Sequence, residues 1–210
     1  MGAVAVWPAQ GDFFSALLEL HEPEGLLDRF YQRASLDLRR HALALVGRSL
    51  ANTEGMVDKQ FVERLKLLWE LRIGVVRAMA EPGANATELS GFGWWFVSAK
   101  FDDDWSIDQL KHALMLAATV DTDDSVVQRL ATLAVAMPLT AVECLRLMVE
   151  GDREGWKVQL WDEHMRAILT TARQSADESA RQAAETLVNR LGARGHLTFR
   201  DLLQSNDIGA

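Results

Sequence analysis

The stretch "ARQAAETLVNRL", residues 180–191, decides the fold class, because its apolar residues repeat at helical spacing. They occupy positions i, i+3, i+4, i+7, i+8 and i+11, namely Ala180, Ala183, Ala184, Leu187, Val188 and Leu191. This repeat places them along one face of an α-helix and leaves polar residues on the opposite face. The stretch is therefore predicted to be an amphipathic helix.

The same periodicity runs through most of the chain, whereas the alternation typical of β-strands is nearly absent. Residues 56–81 carry an apolar stripe made of Phe61, Leu65, Leu68, Trp69, Val75, Val76 and Met79. A further helix face is marked by Trp161, Met165, Ile168 and Ala172. The sequence predicts an all-α protein.

Capping boxes, in which Ser or Thr is followed three residues later by Glu or Gln, predict where helices start. The predicted N-caps are Ser106, Ser125, Thr140 and Ser175, with a looser match at Asn85 and a further start near Gly155. Helices joined by such short turns pack antiparallel, in pairs of about 35–40 residues. We therefore expect an irregular HEAT-like α-solenoid of antiparallel helix pairs, with a closed multi-helix bundle as the alternative.

Residues 1–210 are expected to form a single helical-repeat domain. The strongest punctuation inside the chain is Pro82-Gly83. It suggests a sub-division into an N-terminal helical group, residues 1–83, and a C-terminal helical array, residues 84–210.

The composition favours a soluble cytoplasmic protein without membrane spans, since 49% of residues are hydrophobic and no apolar run is long enough for a bilayer. The single cysteine, Cys144, fits a reducing compartment. A net charge of −8 disfavours nucleic acid as a partner. A basic patch near the N-terminus keeps a nucleic-acid-binding repeat as an alternative, through Arg29, Arg33, Arg39 and Arg40.

No motif in the sequence predicts a catalytic, cofactor-binding or metal-binding residue. The five histidines lie far apart, and none has a second histidine at helical spacing. Cys144 is expected to be a buried structural thiol. A rival hypothesis is an enzyme that uses acidic residues in a helical cavity, drawn from Asp102–Asp104, Glu143 and Glu150.

The segment "GFGWWFVSAKFDDDW", residues 91–105, concentrates three tryptophans and three aspartates. Helical spacing predicts one buried face, made of Phe92, Trp95, Phe96 and Ala99. Trp94 and Lys100 lie off that face and are predicted to contact a partner. Trp105 is expected to precede the next helix and to pack on Leu110 as a hydrophobic staple.

The segment "NRLGARGHLTFRDLL", residues 189–203, contains two glycines after a helical leucine, and Gly192 is predicted to cap the helix. Arg190, Arg194 and Arg200 are candidate partner-binding residues that could clamp an anion. The alternative is that they bind helix C-terminal carbonyls and the carboxylates of Asp201 or Glu185.

"LGARGHLTFRDLL" and "FGWWFVSAKFDDDW" resemble parts of the helical C-terminal regions of large bacterial multidomain proteins, including suspected phage-defence components. Those proteins often carry a nucleotide-binding or sirtuin-like effector upstream. The resemblance spans about residues 35–203 and brings no catalytic motif. It implies the C-terminal part of a longer polypeptide, acting as a non-catalytic sensor or assembly scaffold that binds a protein partner or its own upstream domains.

Overall fold

The computed structural model describes residues 26–81 and 83–204, and all regular secondary structure in them is helical. The α-helices are α1 (Leu26–Arg33), α2 (Leu36–Asn52), α3 (Lys59–Arg77), α4 (Phe92–Val97), α5 (Asp103–Ala117), α6 (Asp123–Leu133), α7 (Pro138–Gly151), α8 (Lys157–Leu160), α9 (Asp162–Gln174), α10 (Glu178–Ala193) and α11 (Asp201–Gln204). Segments of 3-10 helix run over Gly83–Gly91 and Leu197–Phe199. The all-α prediction is confirmed for the described residues.

The long helices pack mainly on elements close to them in chain order. Helix α2 packs on the 3-10 segment and on α4, and α5 packs on α4 and α7. Helix α6 contacts α7 and α9, while α7 also contacts α9 and α10. The buried apolar side chains form one continuous cluster that extends from Leu43 on α2 to Phe199 near the end of the described chain.

Helix starts were predicted less well than helices. Helix α5 begins at Asp103, so Ser106 and Gln109 lie buried inside it instead of forming a capping box. Helices α6 and α7 also begin before the predicted caps, and α10 begins after its predicted cap. Other devices set these ends: acidic residues in the first turns of α5 and α6, which suit the helix dipole, and Pro138 at the start of α7.

The aromatic segment supplies the core between α2, α3 and α5. Phe92, Trp95 and Phe96 are fully buried, as predicted. Ala99 is exposed, because α4 ends at Val97 and Ala99 adopts a left-handed conformation with φ 56°. The predicted staple is wrong as well, since Trp105 lies within the first turn of α5.

Trp105 instead packs sideways on neighbouring aromatic rings. Its ring centroid lies 5.0 Å from that of Phe101 and 5.9 Å from that of Phe92. Its indole N–H donates a hydrogen bond to the Glu70 carboxylate at 2.9 Å. Trp105 therefore joins α5 to α3.

A buried ion triad fastens the N-terminal helices together. The carboxylate of Glu88, fully buried in the 3-10 segment, accepts hydrogen bonds from Arg72 of α3 at 2.7 and 2.9 Å. Its other oxygen accepts from Arg39 of α2 at 2.6 Å. One carboxylate thus neutralises two guanidinium groups that come from separate helices.

The turn between α5 and α6 fits tightly against two helix glycines. A Cβ atom added to Gly93 of α4 would lie 1.9 Å from the carbonyl oxygen of Asp121. A Cβ atom on Gly151 of α7 would lie 1.9 Å from the carbonyl oxygen of Ala118. Only glycine permits these approaches, so the turn holds α4 and the end of α7 in a fixed relation.

Candidate functional site

The two aromatic-segment residues predicted to contact a partner are both engaged within the chain. Trp94 is half-buried, and the guanidinium carbon of Arg48 lies 4.7 Å from the centre of its ring. The Lys100 ammonium donates a hydrogen bond to the carbonyl of Gly55 at 2.7 Å. Partner binding by Trp94 and Lys100 remains a prediction.

The predicted arginines gather around the end of α7. Arg194 donates hydrogen bonds to the backbone carbonyls of Val149 at 2.6 Å and Asp152 at 2.9 Å. Arg190 forms an ion pair with Glu150. Arg194 therefore makes the contact with helix C-terminal carbonyls that the sequence left as the alternative to an anion clamp.

The end of α10 differs from the prediction, because Gly192 lies inside the helix. Gly195 is the left-handed residue, with φ 95°. The backbone N–H of His196 donates to the carbonyl of Leu191, and that of Gly195 donates to the carbonyl of Gly192, which together form a Schellman motif. The absence of a Cβ at Gly192 leaves room for the Arg200 side chain, whose Nε would lie 3.0 Å from such an atom.

The loop after α7 is held by the buried carboxylate of Asp152. One oxygen accepts a hydrogen bond from the backbone N–H of Gly155 at 3.1 Å, and the other accepts from that of Lys157 at 3.0 Å. Gly155 has φ 76°, a conformation that favours glycine. The Lys157 ammonium pairs with Asp123 at the start of α6. The loop shape is thus set from both sides, and Arg194 supports it from α10.

This fixed loop presents an apolar surface. Trp156 is 51% exposed, Leu160 is 60% exposed and Leu197 is 56% exposed. Trp156 and Leu160 are four residues apart across α8 and so share one face of it. A Cβ atom on Gly155 would lie 3.7 Å from the His196 imidazole, which brings Leu197 alongside. We call Trp156, Leu160 and Leu197 the Trp156 surface.

A groove of about 370 Å³ borders the Trp156 surface. Trp156 and Lys157 form one wall, and the opposite walls come from the turn between α5 and α6 and from the end of α7. An exposed tryptophan beside such a groove is typical of protein interfaces, where buried tryptophans often dominate the binding energy.

The acidic residues of the rival enzyme hypothesis each have a separate cation. The pairs are Asp102 with Lys66 at 2.5 Å, Asp103 with Arg129 at 2.7 Å, Glu143 with Lys111 at 2.6 Å, and Glu150 with Arg146 at 2.8 Å. The hydrogen bond from Lys66 lowers the pKa of Asp102 below its usual value. A general acid that works near neutral pH needs the opposite shift.

Other predicted features can also be located. In the basic patch, Arg39 is bound to Glu88 and Arg40 pairs with Asp121 at 3.2 Å, while Arg29 and Arg33 lie exposed on α1. Cys144 is buried, and burial raises the pKa of its thiol to about 12.

Two searches of the described residues found nothing. Within residues 26–81 and 83–204, no group of three or more His, Cys, Asp and Glu side chains is arranged to hold a metal ion. None of the helices in that part of the chain has the length and apolarity needed to cross a membrane.

Sequence reasoning missed the Trp156 surface. A signal was present, because Trp156 and Leu160 fall off the apolar stripe that starts at Trp161. Two large apolar residues four apart on the wrong side of a helix indicate an exposed apolar face.

Comparison with known proteins gives no match: no family model fits the chain, and no curated protein or solved structure is significantly similar to it. The resemblance to C-terminal regions of bacterial multidomain proteins therefore remains a prediction from the sequence.

Proposed function

We propose that this chain is a non-catalytic helical-repeat module that binds a protein partner, or another part of its own polypeptide, through the Trp156 surface. The observation that carries the proposal is the pairing of a braced loop with three large apolar side chains that are each about half exposed. A surface that is already in its binding shape loses less entropy when a partner docks.

The arrangement of helices supports an irregular HEAT-like α-solenoid for this module. Beyond its immediate neighbour, α5 contacts α7, α6 contacts α9 across the short α8, and α7 contacts α10. Stacked helix pairs produce this order of contacts, because each helix meets its partner and its counterpart in the next pair. The Trp156 surface would then lie where the turn between two pairs reaches the edge of the stack.

The chemistry of the Trp156 surface suits a protein ligand. Trp156 provides a large rigid apolar area, and Leu160 and Leu197 extend it. Arg153 and Glu154 lie exposed in the same loop and offer polar contacts around the apolar centre. Truncation of a tryptophan at the centre of an interface costs about 2 kcal/mol or more, which is roughly a thirtyfold loss of affinity.

The separate pairing of the acidic residues supports a non-catalytic role, since catalysis by carboxylates requires two or more of them to converge on one substrate. A cytoplasmic sensor or assembly scaffold within a larger bacterial protein, as the resemblance implies, fits a module of this kind.

Site-specific photocrosslinking tests this proposal. A photoreactive residue at Leu160 in the full chain should yield a discrete crosslinked protein product in extract of the native host. The same residue at Gln128, which is exposed on α6, is the matched control. Equal labelling patterns at the two positions, or none at either, would contradict binding through this surface.

A further inference from the structure

Helix α3 carries a second apolar stripe on its solvent side. Leu67, Leu71 and Val75 follow one another at four-residue intervals and are 66%, 49% and 38% exposed. Val75 was assigned by periodicity to the buried stripe, but the structure places it outside. Soluble proteins rarely leave such an ordered apolar stripe uncovered.

Gly74 marks the centre of this outer face. A Cβ atom placed there would have no other atom within 4 Å, so the helix has an open notch between Leu71 and Val75. Gly47 of α2 shows how this chain uses such a notch: a Cβ atom there would lie 2.6 Å from the side chains of Trp94 and Trp95. An adjacent pair of aromatic residues thus fills the helix glycine of α2.

A basic groove of about 560 Å³ begins where the outer face ends, near the start of α3. Lys59, Lys66 and Lys100 line it against only two carboxylates, Glu63 and Asp102. Its apolar lining includes Met56, Val62 and Phe101. Because the chain as a whole carries a net charge of −8, this positive groove is complementary to much of the chain's own sequence.

The sequence that precedes α1 has the matching chemistry. Residues 12–24, "DFFSALLELHEPE", lie outside the described part of the chain. They contain an adjacent aromatic pair, Phe13 and Phe14, followed at helical spacing by Leu17 and Leu18. They also contain four acidic residues and neither lysine nor arginine.

The connection to α1 is long enough for this segment to reach α3. The carbonyl of Ala34, just after α1, accepts a hydrogen bond from Arg39, which is joined through Glu88 to Arg72 in the middle of α3. Helix α1 adds about 12 Å from that point. Residues 21–25 can span about 17 Å more, so the segment has access to the full outer face.

We infer that residues 12–24 of this chain dock on the outer face of α3, with the aromatic pair at Gly74 and the acidic residues toward the lysine groove. This contact goes beyond the proposed function and uses a different surface from Trp156. Its failure would therefore leave the Trp156 proposal untouched.

Disulfide trapping in the full chain tests the contact. Gly11→Cys and Ala78→Cys place thiols beside the aromatic pair and at the end of the outer face, without removing any residue that carries the inference. Cys144 is buried and does not compete. Under mild oxidation with diamide, this pair should form an intramolecular disulfide on the order of tenfold faster than the control pair Gly11→Cys with Gln182→Cys, because docking raises the effective thiol concentration.

Additional substitutions distinguish the possible occupants. Leu71→Asp, or Lys59→Glu combined with Lys100→Glu, should slow trapping, whereas Met115→Asp, at an exposed site on α5, should not. Equal rates for the test and control pairs would overturn the inference. Trapping that yields mainly disulfide-linked dimers would overturn it too, because the occupant would then belong to a second copy.

Discussion

Replacing Glu88 by glutamine should destabilise the protein strongly, because it removes the only charge that balances two buried guanidinium groups in the triad. Glu88 is fully buried, and the side chain of Arg72 is only 7% exposed. The substitution keeps the shape of the side chain but leaves Arg72 and Arg39 without a counter-ion. Breaking a buried ion pair in this way costs about 3–5 kcal/mol.

The control for this prediction is Glu143→Gln, since Glu143 pairs with Lys111 at a site where both side chains are 31% exposed. Partly exposed pairs of this kind contribute about 0–1 kcal/mol. Urea unfolding followed by tryptophan fluorescence gives both free energies. For a chain of this size, the Glu88 variant should also melt roughly 6–20 °C lower.

A loss of less than about 1 kcal/mol for Glu88→Gln would refute the reasoning, since the triad would then behave like a surface pair. A second comparison separates charge from packing. Removing all three members together, with Glu88→Leu, Arg72→Met and Arg39→Met, should recover much of the lost stability, because apolar replacements of a whole buried network are often tolerated.

Two further predictions follow from close packing and burial. Gly93→Ala should lower the free energy of unfolding by about 1–3 kcal/mol or more, because its methyl group meets the backbone carbonyl of Asp121, whereas Gly192→Ala meets only the movable end of Arg200 and should cost less; chemical denaturation of both variants checks this, and equal losses would contradict it. Cys144, whose pKa is raised by burial to about 12, should not react with a thiol reagent at pH 8 in the native protein and should react once the chain is unfolded in urea. The same raised pKa stabilises the fold fully below pH 9 and progressively less as the pH rises toward 12, so unfolding measured across that range should show falling stability.

Much of the fold could be predicted from periodicity, because a buried helix face leaves a direct trace in the sequence. The stripe from Ala180 to Leu191 is a helix face in the structure, and Phe92, Trp95 and Phe96 are in the core. Helix ends were harder, because a capping box is only one of several ways to stabilise a first turn. The left-handed residues Ala99 and Ala118 end their helices without the glycine that would have announced the turn.

The contacts that position the candidate site could not be predicted, because they join distant parts of the chain. Arg194 supports the end of α7 from more than forty residues away. The Asp152 carboxylate holds its own loop through backbone N–H groups, an arrangement with no fixed motif. Trp156 alone left a usable signal, through its place off the apolar stripe of the next helix.

The most direct test of the central claim compares Trp156→Ala with Met115→Ala in the photocrosslinking experiment at Leu160. Both side chains are more than half exposed, so neither substitution should change the free energy of unfolding by more than about 0.5 kcal/mol. If the Trp156 surface binds a protein, Trp156→Ala should lower the yield of the crosslinked product by roughly thirtyfold at sub-saturating partner, and Met115→Ala should leave it unchanged. An equal yield from the two variants would contradict the account.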